Sequence, residues 1–222
     1  MTPQQLIDNY PVLHHMAQAG SWSAIAEIGL RTTEQLVYDS VDSADLRNEI
    51  LLDQRREAYL LNHPTVGHIT VRDQQPLKLH NLLPKLSGIS FEEFLKSLND
   101  RVFLWARPER LDRLLGARLY REHEHDVLVV DTAALLHVAG DRVRLAGMNT
   151  GAAIFPNTPV RTPNTFTTVA GFPFDERAAA GKGLVDNVVE VCVLDGVDDV
   201  VPAVIRVERR RGANVLRTLY EA

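Results

Sequence analysis

A chain of 222 residues that is 45% hydrophobic and 24% charged can bury enough core to fold without disulfides or a structural metal. That apolar content also excludes disorder along its whole length. A net charge of −5 argues against a protein coated by nucleic acid, whose footprint is basic, and leaves only a local basic groove open.

The lone cysteine, Cys192, rules out an internal disulfide and a Cys-His zinc pattern, and it reads as a small core residue. Met1–Tyr10 lacks the apolar run of a secretory leader. Runs such as Val127–Val130 are too short for a bilayer, so a cytoplasmic protein without a membrane partner is expected. Residues 1–222 read as a single domain.

In chain order, Tyr10–Met16 is apolar enough for a first strand. Trp22–Ile28 reads as a short helix with Ser21 or Ser23 as N-cap and Gly29 as stop. Thr32 or Thr33 caps a second helix through Gln35, Leu36 and Val37. Ala44–Leu60 patterns as a longer amphipathic helix, with Leu46, Ile50 and Leu61 on one stripe and Arg47, Asp53, Arg55 and Glu57 solvated. His68–Val71 is β-rich and leads into the polar turn Arg72–Pro76. Ser90 and Glu93 form a capping box ahead of Phe94, Leu95 and Leu98.

Arg101–Trp105 follows as a strand, and Pro108 opens a helix whose apolar stripe is Leu111, Leu114, Leu115 and Leu119. The unbroken, β-branched run Val127–Asp131 predicts a central strand. His123-Glu124-His125-Asp126 lacks a third ligand at a diagnostic spacing and reads as a polar turn rather than a metal site. Arg142–Leu145 is a further strand.

Residues 147–183, with Pro156, Pro159, Pro163 and Pro173, form a long loop of the kind that carries function. Val188–Leu194 and Ala203–Val207 close the chain as strands joined by the acidic turn Asp195–Asp199, with Arg209–Arg211 as a flanking charge cluster. Scattered strands after a helix-rich beginning predict an α+β fold. No Rossmann or P-loop glycine motif occurs.

Leu13-His14-His15-Met16-Ala17, followed by Ile25, Ile28, Gly29 and Leu30, resembles the opening of ADP-ribosyltransferase-fold proteins. There, a strand with a His-containing motif precedes a short helix and an Ile-x-x-x-Gly-Leu ending. The DNA-targeting ADP-ribosyltransferase toxins and the RNA 2′-phosphotransferases look similar, but they carry Thr where this chain has Ala17. Asp100–Trp105 resembles the family's mid-domain strand, and Val188–Val193 with Val200–Ile205 its C-terminal pair. Much of the chain is also similar to a bacterial family with no assigned function.

The resemblance implies ADP-ribosyltransferase-like mixed sheets with helices packed around them. It further implies an enzyme that uses NAD as substrate and transfers ADP-ribose to an acceptor, with nucleic acid, protein or a small molecule left open. Glu190 would be the catalytic acid, His15 and Arg72 would bind the cofactor, and Arg161, Thr165 and Phe166 would lie in a substrate-recognition loop. Alternation sets Glu190 on one strand face with Cys192 and Leu194, a partly apolar setting that raises a carboxylate pKa.

Each residue also has a plainer reading. Glu190 would be a strand-edge acid, His15 a structural histidine, and Arg72 a turn arginine paired with Asp73. The absent Thr motivates the alternative of a non-catalytic nucleotide- or protein-binding module on the same scaffold.

Overall fold

Short helices and strands alternate irregularly through residues 1–222 of the computed structural model. In order they are α1 (Pro3–Asn9), β1 (Val12–Gln18), α2 (Trp22–Ile28), α3 (Thr33–Ser40), α4 (Ala44–Leu52), β2 (Tyr59–His63), β3 (Gly67–Val71), α5 (Leu79–Leu82), α6 (Phe91–Asn99) and β4 (Arg101–Trp105). Then come α7 (Pro108–Leu115), β5 (Glu124–Asp131), α8 (Thr132–Ala139), β6 (Val143–Ala146), β7 (Thr167–Thr168), α9 (Phe174–Ala179), α10 (Leu184–Asn187), β8 (Glu190–Leu194), β9 (Val204–Arg211) and β10 (Asn214–Glu221). The fold is α+β. Its main sheet has eight strands in the order β10-β9-β5-β1-β4-β8-β6-β7, and every pairing in it is antiparallel.

The central strands bury both faces. Leu13, Ala17, Leu128, Val130, Leu104, Val191 and Val193 pack on one side with Leu6 of α1, Ile25 of α2 and Leu135 of α8. On the other side Met16 and Val127 meet Leu111 and Leu115 of α7, while Phe103 joins Phe94, Leu95 and Leu98 of α6. The β2–β3 hairpin stands apart from the large sheet and packs with Val37 of α3 and Ile50 of α4. No helix is long and apolar enough to cross a membrane.

Capping chemistry fixed the helices as expected where it was strong. Thr32 with Gln35 and Ser90 with Glu93 both form reciprocal capping boxes. Ser21 precedes α2 without a side-chain bond, and the amides of Gly20 and Trp22 donate instead to the buried Asp126 of β5.

Several elements differ from the sequence pattern. The chain begins with α1, capped by Thr2 and Gln5. The expected helix Ala44–Leu60 stops at Leu52. Arg55, expected in solvent, is buried and donates to the Ile50 carbonyl at 2.8 Å, the Arg72 carbonyl at 2.9 Å and Asn99 Oδ1 at 3.0 Å. Burial pulls its pKa down to about 10.

His125 and Asp126 lie inside β5 rather than in a turn. Arg209–Arg211 lie inside β9, where Arg209 pairs with Asp126 at 2.5 Å and Arg211 with Glu124 at 2.7 Å. Leu119 lies beyond α7 and is exposed. β8 and β9 are not neighbours, since β4, β1 and β5 stand between them.

Gly29 ends α2 at φ 84°, where a Cβ would meet the Asp198 oxygen at 2.4 Å and the Val197 oxygen at 2.5 Å. Gly20 shares a positive φ of 91° but faces open space. Gly29→Ala is therefore expected to cost about 3 kcal/mol in urea unfolding, and Gly20→Ala about 1 kcal/mol. Equal losses would show that backbone conformation, and not the collision, governs this turn.

Candidate functional site

β1 pairs with β5 along all seven of its residues but meets β4 at one pair, His14 with Trp105. Beyond that pair the two strands part. A cavity of about 590 Å³ fills the opening, lined by His15–Gln18 from β1 and Arg101–Trp105 from β4. The turn into α2, strand β3 with the following Arg72–Gln74, and the segment Asn149–Ala152 complete its wall. Its size lies in the range of small-molecule sites. Four arginines line it (Arg31, Arg55, Arg72 and Arg101) against two carboxylates, Asp73 and Glu190. Of these arginines, Arg31 is paired with Asp198 and Arg101 with Asp100.

His15, Arg72 and Glu190 all line this one cavity. Glu190 pairs across the sheet with Trp105 and Ala146, in the same row as His14. The pleat sends His14, Trp105 and Glu190 to one face and His15 to the other. Trp105, Glu190 and His15 nevertheless all line the one cavity.

His15 Nδ1 lies 2.8 Å from the Phe103 carbonyl. A carbonyl only accepts, so Nδ1 carries the proton and Nε2 is left as an acceptor. Burial lowers the His15 pKa against that hydrogen bond, and the Arg72 charge lowers it further. The net effect favours the neutral imidazole. His14 is buried in the sheet.

Arg72 makes no ion pair with Asp73. Its guanidinium sits 4.8 Å from the centroid of the Tyr120 ring, and no carboxylate lies within ion-pair distance. Such a cation is available to an anionic ligand.

Glu190 is only 4% exposed. Burial pushes its pKa up to about 7, against hydrogen bonds from Thr150 and the charges of Arg161 and Arg110. Cys192, two residues on, is buried, and its thiol is pushed up to about 12. It is inert as a nucleophile.

Residues 147–183, expected as one long loop, also contain β7 and α9, and the segment packs down. Arg177 donates to the carbonyls of Gly147, Asp186 and Asn187 at its base. None of Arg161, Thr165 and Phe166 is among the residues lining the cavity. Arg161 is fully buried within its own loop. Thr165 Oγ1 accepts from the Thr162 amide at 2.8 Å in a local turn. Phe166 lies under the Arg101 guanidinium, 4.0 Å from ring centroid to Cζ, and beside Phe103. Phe166 thus fastens the loop to β4, while Arg161 and Thr165 hold the loop together internally. Instead, the loop's contribution to the cavity comes from Asn149–Ala152 and Ile154. Sequence reasoning missed Thr150 and Tyr120, since neither sits in a motif and their partners are distant in the chain.

The fold and site together define an α+β protein with a ligand-sized opening in a parted antiparallel sheet. A family model described as a family of unknown function, DUF7002, matches residues 11–204, and the chain belongs to that family. The match runs from just before β1 to the first residue of β9 and contains every cavity-lining residue. No curated protein and no solved structure matches the chain.

The raised pKa of Glu190 has a consequence for stability. Because the folded value of about 7 exceeds the ordinary 4.5, folding favours the protonated acid. The stabilisation is complete below about pH 4.5 and is lost as pH rises through 7, by about 3 kcal/mol. Urea unfolding of wild type and Glu190→Gln across pH 4–8 is expected to give a stability difference that shifts by this amount in favour of the glutamine variant. Parallel curves would mean that Glu190 ionises as freely as in the unfolded chain.

Proposed function

We propose that the cavity binds NAD and that the protein is a mono-ADP-ribosyltransferase-like enzyme, with Glu190 at the nicotinamide–ribose bond. The observation that carries this reading is that His15, Arg72 and Glu190, far apart in sequence, line one cavity of suitable size. Breaking the glycosidic bond develops positive charge on the ribose ring. A buried carboxylate held beside that ring stabilises the charge, and more strongly than in water because the surroundings are poorly polarisable. With a pKa near 7, the same group can take a proton from an acceptor at neutral pH. Arg72, free of a carboxylate, would hold the diphosphate, and the His15 Nε2 acceptor would receive a ribose hydroxyl. The acceptor is a nucleic acid, a protein or a small molecule.

The alternative is a module that binds a nucleotide or a protein without turnover. Ala17 favours it, because this cavity-lining residue has no hydroxyl where the resemblance to ADP-ribosyltransferase-fold proteins implies Thr.

Nicotinamide release from NAD is the test. Wild-type turnover is expected to climb as pH passes through about 7. Glu190→Gln is expected to cut turnover on the order of 10³-fold, and His15→Ala to raise KM more than it lowers kcat. Equal release by wild type and Glu190→Gln removes Glu190 from the reaction. Heat of NAD binding without release supports the binding module, and neither heat nor release sinks the NAD-using enzyme and leaves only a module for another ligand.

A further inference from the structure

We propose that Thr150, delivered by a loop folded around Arg161, is the positioning residue that orients the Glu190 carboxylate toward the cavity. The inference rests on the proposed role of Glu190.

The backbone of Glu190 is fixed between β4 and β6, but three side-chain torsions remain free. The only hydrogen-bond donor to its carboxylate is Thr150. Its amide lies 3.3 Å from Oε1 and 3.2 Å from Oε2, and its hydroxyl donates to Oε2 at 2.7 Å. No lysine or arginine lies within ion-pair distance of Glu190. A carboxylate has about four acceptor positions. One residue therefore occupies most of them on one side, and Oε1 is the less engaged oxygen.

Thr150 can act as a clamp only if it is itself immobile, and Arg161 provides that. Arg161 and Thr150 are both 0% exposed. The guanidinium donates to the carbonyls of Ala152 at 2.6 Å, Asn149 at 3.3 Å, Thr150 at 3.5 Å and Pro159, and to Thr158 Oγ1 at 2.7 Å. The backbone of Arg161 is tied to Lys85 and Ser87, which brace the loop from outside. A buried guanidinium serving only uncharged acceptors is costly to desolvate unless a negative charge lies near. The Glu190 carboxylate, reached through Thr150, is the charge whose field Arg161 feels. Arg161 is thus the organiser of the loop, Thr150 its fingertip, and Glu190 the group it aims. Neither Thr150 nor Arg161 needs to touch the ligand for this role.

The test compares Thr150→Val, which keeps size and amide but removes the hydroxyl, with Thr150→Ser, which keeps it. Glu190 is followed by carbon-detected NMR of glutamate carboxyl groups, its signal assigned by the loss in Glu190→Gln. Removing a donor that favours the charged form is expected to raise the Glu190 midpoint by about one pH unit, and serine is expected to restore it. Thr150→Ala replaces the valine variant if that chain fails to fold. Under the proposed function the acid limb of nicotinamide release moves upward by the same amount, with KM for NAD nearly unchanged. An unshifted midpoint in the folded valine or alanine variant overturns the proposal, as does a serine variant that behaves like valine. The titration needs no NAD. A wild-type protein that releases no nicotinamide would therefore defeat the enzymatic reading, while the midpoint still judges Thr150.

Discussion

The joining of β1 to β4 at one residue pair is the constraint on which the site depends. A strand that bonded fully on both sides would close the sheet, and its side chains would be confined to two separate faces. Here β1 is locked to β5 over its full length and released from β4 after His14 and Trp105. Residues of both parted strands line the cavity, among them side chains from both faces of the sheet. The single hydrogen bond from His15 to the Phe103 carbonyl spans the gap. It fixes the tautomer of the histidine.

Around this opening, arginines are used in two different ways. Arg55 and Arg161 are buried and direct their donors to uncharged oxygens, mostly backbone carbonyls, closing the end of α4 and the loop after β6. Arg72 keeps its guanidinium at the cavity wall, supported by the face of Tyr120 rather than by a carboxylate. The first kind makes the frame rigid and the second leaves a positive charge for a ligand. The acidic balance of the whole chain says nothing about this local arrangement, because net charge is a sum and a cavity samples only its own wall.

Legibility in the sequence followed the range of the interaction. Thr32 with Gln35 and Ser90 with Glu93 announced helix starts because each box closes over three residues. The Val127–Val130 run announced a buried strand because only burial on both faces tolerates such continuity. Ala44–Leu60 misled, since a favourable helical stripe was overruled after Leu52 by the inward turn of Arg55 and the pairing of Tyr59–His63 with Gly67–Val71. For the site, His15 and Glu190 stood out through resemblance and Arg72 through its place after a strand. Thr150 carried no local signal, as its partner lies 40 residues away.

The sequence by itself determined the α+β class, the starts of α2, α3, α4, α6 and α7, and the strand character of Arg101–Trp105, Val127–Asp131 and Val188–Leu194. These depend on neighbours within a turn or on side-chain periodicity. Only the tertiary structure decided that β8 lies beside β4 and β6 rather than β9, that β1 parts from β4, and that Arg161 turns inward while Arg72 faces the cavity. Which strands adjoin, and which charged groups lose their water, is set by packing between segments distant in the chain, and no local pattern encodes that choice.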